Sequence, residues 1–441
     1  MEIVFIYLSI GMIFFFSLLY IIKNVFSIKR LNFFSWYLLG IIISFVFPYF
    51  YLSIKNEDFS YFPKDWSTIV FGFLILLGSI ILTYIGYVSG RSIKKIKNNY
   101  TNNKHHLFLY FISKLFQCYA IFIFVYSFEL LIQNRSLIKN NMLLREIIFS
   151  KIDVITLHGV LVLLPMAVSI YYLYIYIHEK NKSALYYFIF YFILSLNPAF
   201  ITGERTALIK VLLLSLLVIY ERYPRSKYLI YSFSFIVLIL YLYSSFKVTL
   251  LNSKNLFLDI IKKDFDMNWS LWYIIENTNL FYSKIISFPG SGYLYTFLVF
   301  LPRNIAPFKG YSSTMQFTYY YGIQNNIPLG ASTIGQLNWQ YKFGVMPEAL
   351  INFGYLGVIT ISILLGIILW YMEVVYNKYK ITYGIFAYIS LAFTFLPFFT
   401  IITLSLPIAI EEIIMIKGLK YKKNAGLLEK VRKTKIRTEG T

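Results

Sequence analysis

The chain has 441 residues, 58 % of them hydrophobic and 14 % charged, where an ordinary soluble protein carries roughly 25 % charged residues. That composition excludes a water-soluble enzyme of ordinary type, a disordered chain, a collagen and a disulfide scaffold, and leaves a polytopic membrane protein. The net charge of +21 sits in short basic clusters between apolar runs, which is a topology signal and not a nucleic-acid footprint.

A helix needs about 20 apolar residues to cross the hydrocarbon core. The first such run is Ile3–Ile22. It has no basic n-region and no small-residue cleavage site, so it reads as a span and not a removable signal. Further runs cover 32–54, 67–89, 107–127, 155–177, 184–201, 206–220 and 229–250. A long amphipathic stretch fills 251–348, and runs at 350–372, 381–397 and 399–416 follow; the last two are either one long segment kinked at Pro397 or Pro407 or two spans, and a cytoplasmic basic tail requires two. The fold expected is an all-α polytopic integral membrane protein with about 11 transmembrane helices. Its regions are membrane helices over 1–250, one large outer loop over 251–348, membrane helices over 349–416 and a basic tail over 417–441.

Basic clusters fall on alternate connections: Lys23 to Arg30, Arg91 to Lys104, Lys180 and Lys182, Arg222 to Lys227, Lys378 and Lys380, then the tail. Basic loops stay cytoplasmic, so the N-terminus and the large loop face outward and the tail faces the cytoplasm. Loops as long as 251–348 are usually functional. Within it, Leu256–Ile275 places Phe257, Ile260, Ile261, Phe265 and Leu271 near one helical face, as in a helix lying on the membrane surface.

Three outward places carry polar residues that need a reason. The first is the turn Gly203-Glu204-Arg205-Thr206, with Lys210 inside the next span. Ionisable groups at such depth are functional hypotheses by default, although an ion pair closing a helix hairpin uses the same residues. The second is Leu301 to Lys309, where Pro302 and Pro307 stiffen a segment bearing Arg303 and Lys309. An arginine fork and a lysine point charge suit a diphosphate, and snorkelling to lipid phosphates is the plainer use. The third is Ser332–Gly357, with Gln336, Trp339, Glu348, Asn352, Gly354 and Gly357. Glu348 opens an apolar run, where a desolvated carboxylate becomes a general base and where the helix dipole alone also favours an acid. Asn352 lies one turn on, placed to orient a hydroxyl. Gly354 and Gly357 permit close approach of a second helix or a lipid.

Other signals are weaker. Glu57, Asp58 and Asp65 suit a divalent cation or a solvated loop. His158 has no partner histidine at metal spacing, and Arg135, Lys139 and Arg145 are a basic rim or plain surface charge. Tyr341 and Phe343, with Trp339, suit sugar stacking or interfacial anchoring. Cys118 is the sole cysteine, which excludes internal disulfides and a cysteine-rich metal site. No P-loop, Rossmann glycine pattern or HExxH motif is present.

The turn Gly203–Thr206, the Pro302-Arg303 segment with Pro307 and Lys309, and Glu348 with Asn352-Phe353-Gly354 and Gly357 together resemble the Wzy-type oligosaccharide repeat-unit polymerases, also called O-antigen or capsule polymerases. The resemblance implies a GT-C-like glycosyltransferase of the bacterial inner membrane, working on its periplasmic face without cofactor or bound metal. Its donor and acceptor are oligosaccharides carried on undecaprenyl diphosphate in membrane lipid, and its partners are a chain-length regulator and a flippase. Onto this chain it carries Arg303, Glu348 and Arg205 as catalytic residues. Lys309, Glu204, Asn352, Gln336, Trp339 and Lys210 become substrate-binding residues. The alternatives are an O-antigen ligase and a flippase for lipid-linked oligosaccharide. The related ligases are thought to use an outer-loop histidine, and the four histidines here (His105, His106, His158 and His178) all lie outside 251–348.

Overall fold

The computed structural model describes residues 2–28, 31–55, 57–92, 104–134, 164–202, 205–223, 258, 261–281, 288–298, 305–337, 340–378, 382–397 and 401. The expected span 229–250, the basic tail, Glu204, Arg303, Trp339, His158 and the Arg135–Arg145 rim lie outside these residues, as do the side chains of Arg205, Lys210 and Gln336. All regular structure among the described residues is helical. In chain order the helices are α1 (Glu2–Ile28), α2 (Phe33–Ile41), α3 (Phe47–Lys55), α4 (Trp66–Gly90), α5 (Lys104–Gln133), α6 (Leu164–Glu179), α7 (Lys182–Thr202) and α8 (Arg205–Arg222). Then follow α9 (Asn268–Glu276), α10 (Ser291–Leu298), α11 (Ser313–Gln324), α12 (Val345–Lys378) and α13 (Tyr383–Ala392).

Among the described residues, four helical runs are long and apolar enough to cross a membrane: Ile6–Asn24, Phe33–Lys55, Trp66–Gly90 and Val345–Asn377. The protein is therefore all-α with at least four candidate membrane spans, as a multi-pass membrane protein requires.

The chain divides into two units. One comprises 1–94, 244–378 and 386–403; the other comprises 95–243, 379–385 and 404–441. In the second unit, α6 and α7 close on Val168, Tyr171, Tyr191 and Leu194. Lys114, the charge inside the expected span 107–127, donates to Gln117 at 2.8 Å, and Tyr191 donates to the same amide oxygen at 3.2 Å. These hydrogen bonds give partners to polar groups that α5 carries beside apolar neighbours.

In the first unit, α4 and α12 pack through glycine. A Cβ on Gly86 would overlap the Ile363 carbonyl, and one on Gly366 would overlap the Thr83 carbonyl. Small residues let the two backbones meet, which is how helices associate where lipid removes the hydrophobic drive. The α2–α3 run carries a π turn over Ile42–Val46, in which Phe47 N–H reaches back to the Ile42 carbonyl. Pro48 follows at once and has no N–H to return to this turn. The released carbonyls are taken by a distant loop: Met267 N–H donates to Ser44 O at 3.0 Å, and Asn268 Nδ2 donates to Phe45 O at 2.9 Å.

The helix expected on the membrane surface over Leu256–Ile275 differs in its described part. Residues from Met267 to Ile274 are buried, and α9 packs Trp272 against Gly72 of α4. Trp269, Leu271, Trp272, Tyr273 and Ile274 point to every side of this short helix, and a helix apolar all round is a core helix. Its far end is tied to the loop before α4. Glu276 accepts from Lys64 N at 3.1 Å and from the Tyr61 hydroxyl, while Lys262 and Glu57 form an ion pair at 3.1 Å. Glu57 is thus engaged by a lysine. Among the described residues no three His, Cys, Asp or Glu side chains gather as a metal site needs.

A buried Glu348 network as candidate functional site

The start of α12 is fixed by close backbone contact. Val345 N–H donates to Phe393 O at 2.9 Å, and a Cβ on Gly344 would overlap the Thr394 carbonyl. Glu348 therefore stands in the first turn of α12 and is fully buried, at 0 % exposure. A carboxyl group taken out of water needs hydrogen bonds to remain. Ser313 Oγ, at the start of α11, donates to Glu348 Oε1 at 3.1 Å. Asn352, one turn along α12, donates from Nδ2 to Ser313 Oγ at 2.9 Å and to the Glu348 carbonyl at 2.9 Å. Asn352 Oδ1 accepts from Gly292 N–H of α10 at 3.0 Å, and the Asn352 carbonyl accepts from Gly290 N–H at 3.2 Å. Three helices thus meet in one polar knot.

Local sequence explains each arm. Ser312 caps α11 by accepting from Met315 N–H at 3.3 Å, which turns Ser313 inward on the first turn. Gly292 has no room for a side chain, because a Cβ there would overlap Ser313 Oγ. Gly290 sits at φ +83° with the Phe353 ring where a Cβ would stand, and Tyr293 stacks on Phe353 at 5.6 Å. Tyr293 is buried beside Glu348; burial first, and the carboxylate's charge second, push its hydroxyl well above the ordinary range.

Gly354 and Gly357 act differently from expectation. Gly354 breaks α12 at φ +62° and ψ −153°, and open space surrounds the position of its absent Cβ. The backbone angle, not a neighbouring helix, demands glycine there. A Cβ on Gly357 would overlap the Ala349 carbonyl of the same helix. The two glycines bend α12 just beyond Asn352, so the turn carrying Glu348 is set off from the long apolar span that follows.

Lys309 belongs to the same unit. It ends the short 3-10 turn Pro307–Lys309, is only 6 % exposed, and holds Nζ 5.7 Å from the centre of the Tyr295 ring on α10. Gln336 lies on the 3-10 turn Ile334–Gln336. The structure thus joins Glu348 and Asn352 directly and sets Lys309 against the helix that supplies Gly292. Arg205, the first residue of α8, and Lys210 belong to the other unit.

The aromatic residues near Trp339 divide. Phe343 is fully buried against Phe317 at 5.3 Å, so it is a core ring. Tyr341 is half-buried and edge-on to Trp269 at 5.2 Å and to Tyr321 at 5.3 Å. Tyr341 N–H donates to Thr318 Oγ1 at 2.8 Å, and Thr314 donates to Gln340 at 2.6 Å, so the polar face of α11 also holds this strand of chain.

Sequence reasoning missed Ser313, whose signal was the uncharged Ser312-Ser313-Thr314 cap. It also missed Asp266 and Asn268. Asp266 is 1 % exposed; its Oδ1 accepts from Asn268 N–H at 3.1 Å and Asn268 Nδ2 at 3.0 Å. Its Oδ2 has no hydrogen bond among the described residues. Burial pushes its carboxyl up to about 7, against the opposing hydrogen bonds from Asn268 and the charge of Lys262. An Asp-x-Asn turn ahead of a helix was the available signal. Compared with models of protein families, with curated proteins and with solved structures, the chain matches none of them.

Proposed function

We propose that this multi-pass protein is a polymerase of lipid-linked oligosaccharide repeat units, a GT-C-like glycosyltransferase with about 11 spans whose large loop faces the periplasm. The observation that carries the proposal is the burial of Glu348 in a hydrogen-bonded knot at the head of a membrane span. Carboxylates at such positions are costly and are retained for function by default.

In the reaction, a hydroxyl of the incoming lipid-linked unit attacks the anomeric carbon of the growing chain. The new bond is the glycosidic C–O bond. The bond that breaks joins that carbon to the undecaprenyl diphosphate, which leaves with the electron pair. Glu348 orients the attacking hydroxyl and takes its proton. Arg303 and Lys309 are the cations assigned to the diphosphate charge that develops. Asn352 holds Glu348 through Ser313; Gln336 and Trp339 are assigned to sugar contacts.

The test is the length distribution of the surface glycan after deletion of the gene, restored with wild type, Glu348→Gln or Arg303→Ala. The expected result is a ladder collapsed to one anchored repeat, rebuilt by wild type and not by membrane-inserted variants. Absence of any surface repeat, with lipid-linked units held inside, would identify a flippase. Long unattached chains would identify a ligase.

A further inference from the structure

The break in the α2–α3 run is closed from outside the helix. In a regular helix the Ser44 carbonyl takes the N–H four residues on, and residue 48 is proline, which has none. Met267 N–H supplies the missing bond at 3.0 Å, and Asn268 Nδ2 reaches the neighbouring Phe45 carbonyl at 2.9 Å. Asp266 aims that side chain: its Oδ1 accepts from Asn268 N–H at 3.1 Å and from Asn268 Nδ2 at 3.0 Å. The Asn268 amide cannot be flipped, because its oxygen would then face the Phe45 carbonyl and the Asp266 carboxyl group. Asp266, Met267 and Asn268 are each at most 1 % exposed.

We propose that the Asp266–Asn268 turn is a proton-operated clasp: it holds the π turn of the α2–α3 run while Asp266 carries a proton, and it lifts off, with the surrounding helices still folded, when that proton leaves. Asp266 Oδ2 and Asn268 Oδ1 are both buried and receive no hydrogen bond among the described residues. A neutral carboxyl group tolerates such a place. A carboxylate with a bare oxygen does not, because an unpartnered charge is the costliest group to keep from water. Lifting the turn into water removes that cost and gives up the two hydrogen bonds to the π turn. The piece that moves is short. Only the five-residue π turn Ile261–Phe265 precedes it, tied to the loop before α4 by the partly exposed Lys262–Glu57 pair. Beyond it, α9 stays anchored by Trp272 against Gly72.

The charged group that acts on Asp266 among the described residues is Lys262, which favours the carboxylate; burial is the larger effect and favours the neutral acid. The side chains of Lys263 and Asp264 lie outside the described residues. The π turn Ile42–Val46 carries no titratable residue. On α3, Tyr49 packs on Phe59, Phe73 and Trp272, Tyr51 packs on Phe47, and Lys55 is exposed. On α9, Tyr273 donates to Gln324 and Glu276 accepts from Lys64 N–H.

The test is hydrogen exchange of the full chain in lipid nanodiscs from about pH 5 to about pH 8, read by mass spectrometry and corrected for the intrinsic pH dependence of exchange. The reporters are fragments carrying the N–H groups of Asp266, Met267 and Asn268; fragments of α4 and α12 report opening of the whole unit. Protection of the turn should fall about tenfold per pH unit up to about pH 7 and level off above it, the sign required when the closed form holds a proton that the open form releases. At every pH the turn should be less protected than α4 and α12 by at least about tenfold, because it opens without them. In Asp266→Asn the protection of the turn should not change with pH. A flat profile in the wild type overturns the proposal, as does a slope that survives in Asp266→Asn. Protection of the turn equal to that of α4 and α12 also overturns it, since the turn would then open only with the whole unit. If Asp266→Asn does not insert, the wild-type profile and its contrast with α4 and α12 decide the matter alone. No glycan is assayed, so the result is independent of the polymerase reading.

Discussion

Replacing Asp266 by asparagine should make the protein more stable near neutral pH and flatten its stability against pH. Asp266 is enclosed by its own loop and by the π turn of the α2–α3 span, and burial raises its carboxyl from the ordinary 3.8 to about 7. In the unfolded chain the group titrates near its ordinary value. Between about pH 4 and about pH 7 the folded protein therefore holds a proton that the unfolded chain has released. Stability must fall as pH rises through that window and level off above it. A rise from 3.8 to about 7 corresponds to a loss on the order of 4 kcal/mol across the window. Lys262 opposes the effect, but it is shared with Glu57 at 3.1 Å. In Asp266→Asn the side-chain oxygen still accepts from Asn268 N–H, while the titration is gone. The assay is thermal or denaturant unfolding of both proteins in the same detergent at fixed ionic strength, from about pH 4 to about pH 8. The quantity read is the wild-type-minus-variant difference, which removes every other titrating group. A difference that stays constant over the window would show that Asp266 is ionised in the folded protein, and the reasoning from its burial would fail.

Two further outcomes follow from glycine contacts. Gly292→Ala forces a methyl into Ser313 Oγ, so glycan polymerisation should drop by at least tenfold (one lost charge-assisted hydrogen bond) while the protein stays inserted, as read by the glycan ladder and by membrane yield; a normal ladder would show that the knot is not needed. Gly366→Ala drives a methyl into the Thr83 carbonyl across the α4–α12 contact, and overpacking of this kind costs about 1–3 kcal/mol. The unfolding midpoint in detergent should fall accordingly, and an unchanged midpoint would mean that the two helices separate without cost.

The membrane helices were legible because bilayer thickness fixes their length. Runs read at Ile3–Ile22, 32–54 and 67–89 lie within a few residues of the spans Ile6–Asn24, Phe33–Lys55 and Trp66–Gly90. Glu348 was read as a carboxylate at the head of an apolar run that could be desolvated, and it is buried; what the sequence did not show is the group that meets it. Ser313, which donates to it, lies 35 residues earlier in the chain, and no local pattern announces such a pairing. The π turn before Pro48 was not read from the sequence, and the side chain that donates to it, Asn268, is 223 residues from Phe45. The burial of α9 was misread because a short helix with rings on all sides can be matched to an amphipathic face by choosing which residues to count. Gly354 was read for its small size, whereas its positive φ is what the fold uses; sequence shows that a glycine is present but not which of its two properties is needed.

The polar residues between 291 and 352 cannot be explained by stability alone. Ser313, Glu348 and Asn352 are each at most 2 % exposed, and an apolar triad of the same volume would avoid the cost of desolvating a carboxyl group. Once the network exists, losing one member is worse than losing all, because the remainder is left buried without its partner. That asymmetry keeps a network in place but gives no reason for one to arise at the head of a membrane span. Gly292 adds a second cost, since a helix residue with no side chain is less favourable than alanine by about 0.5–1 kcal/mol. The fold accepts both costs to hold one carboxyl group in one orientation.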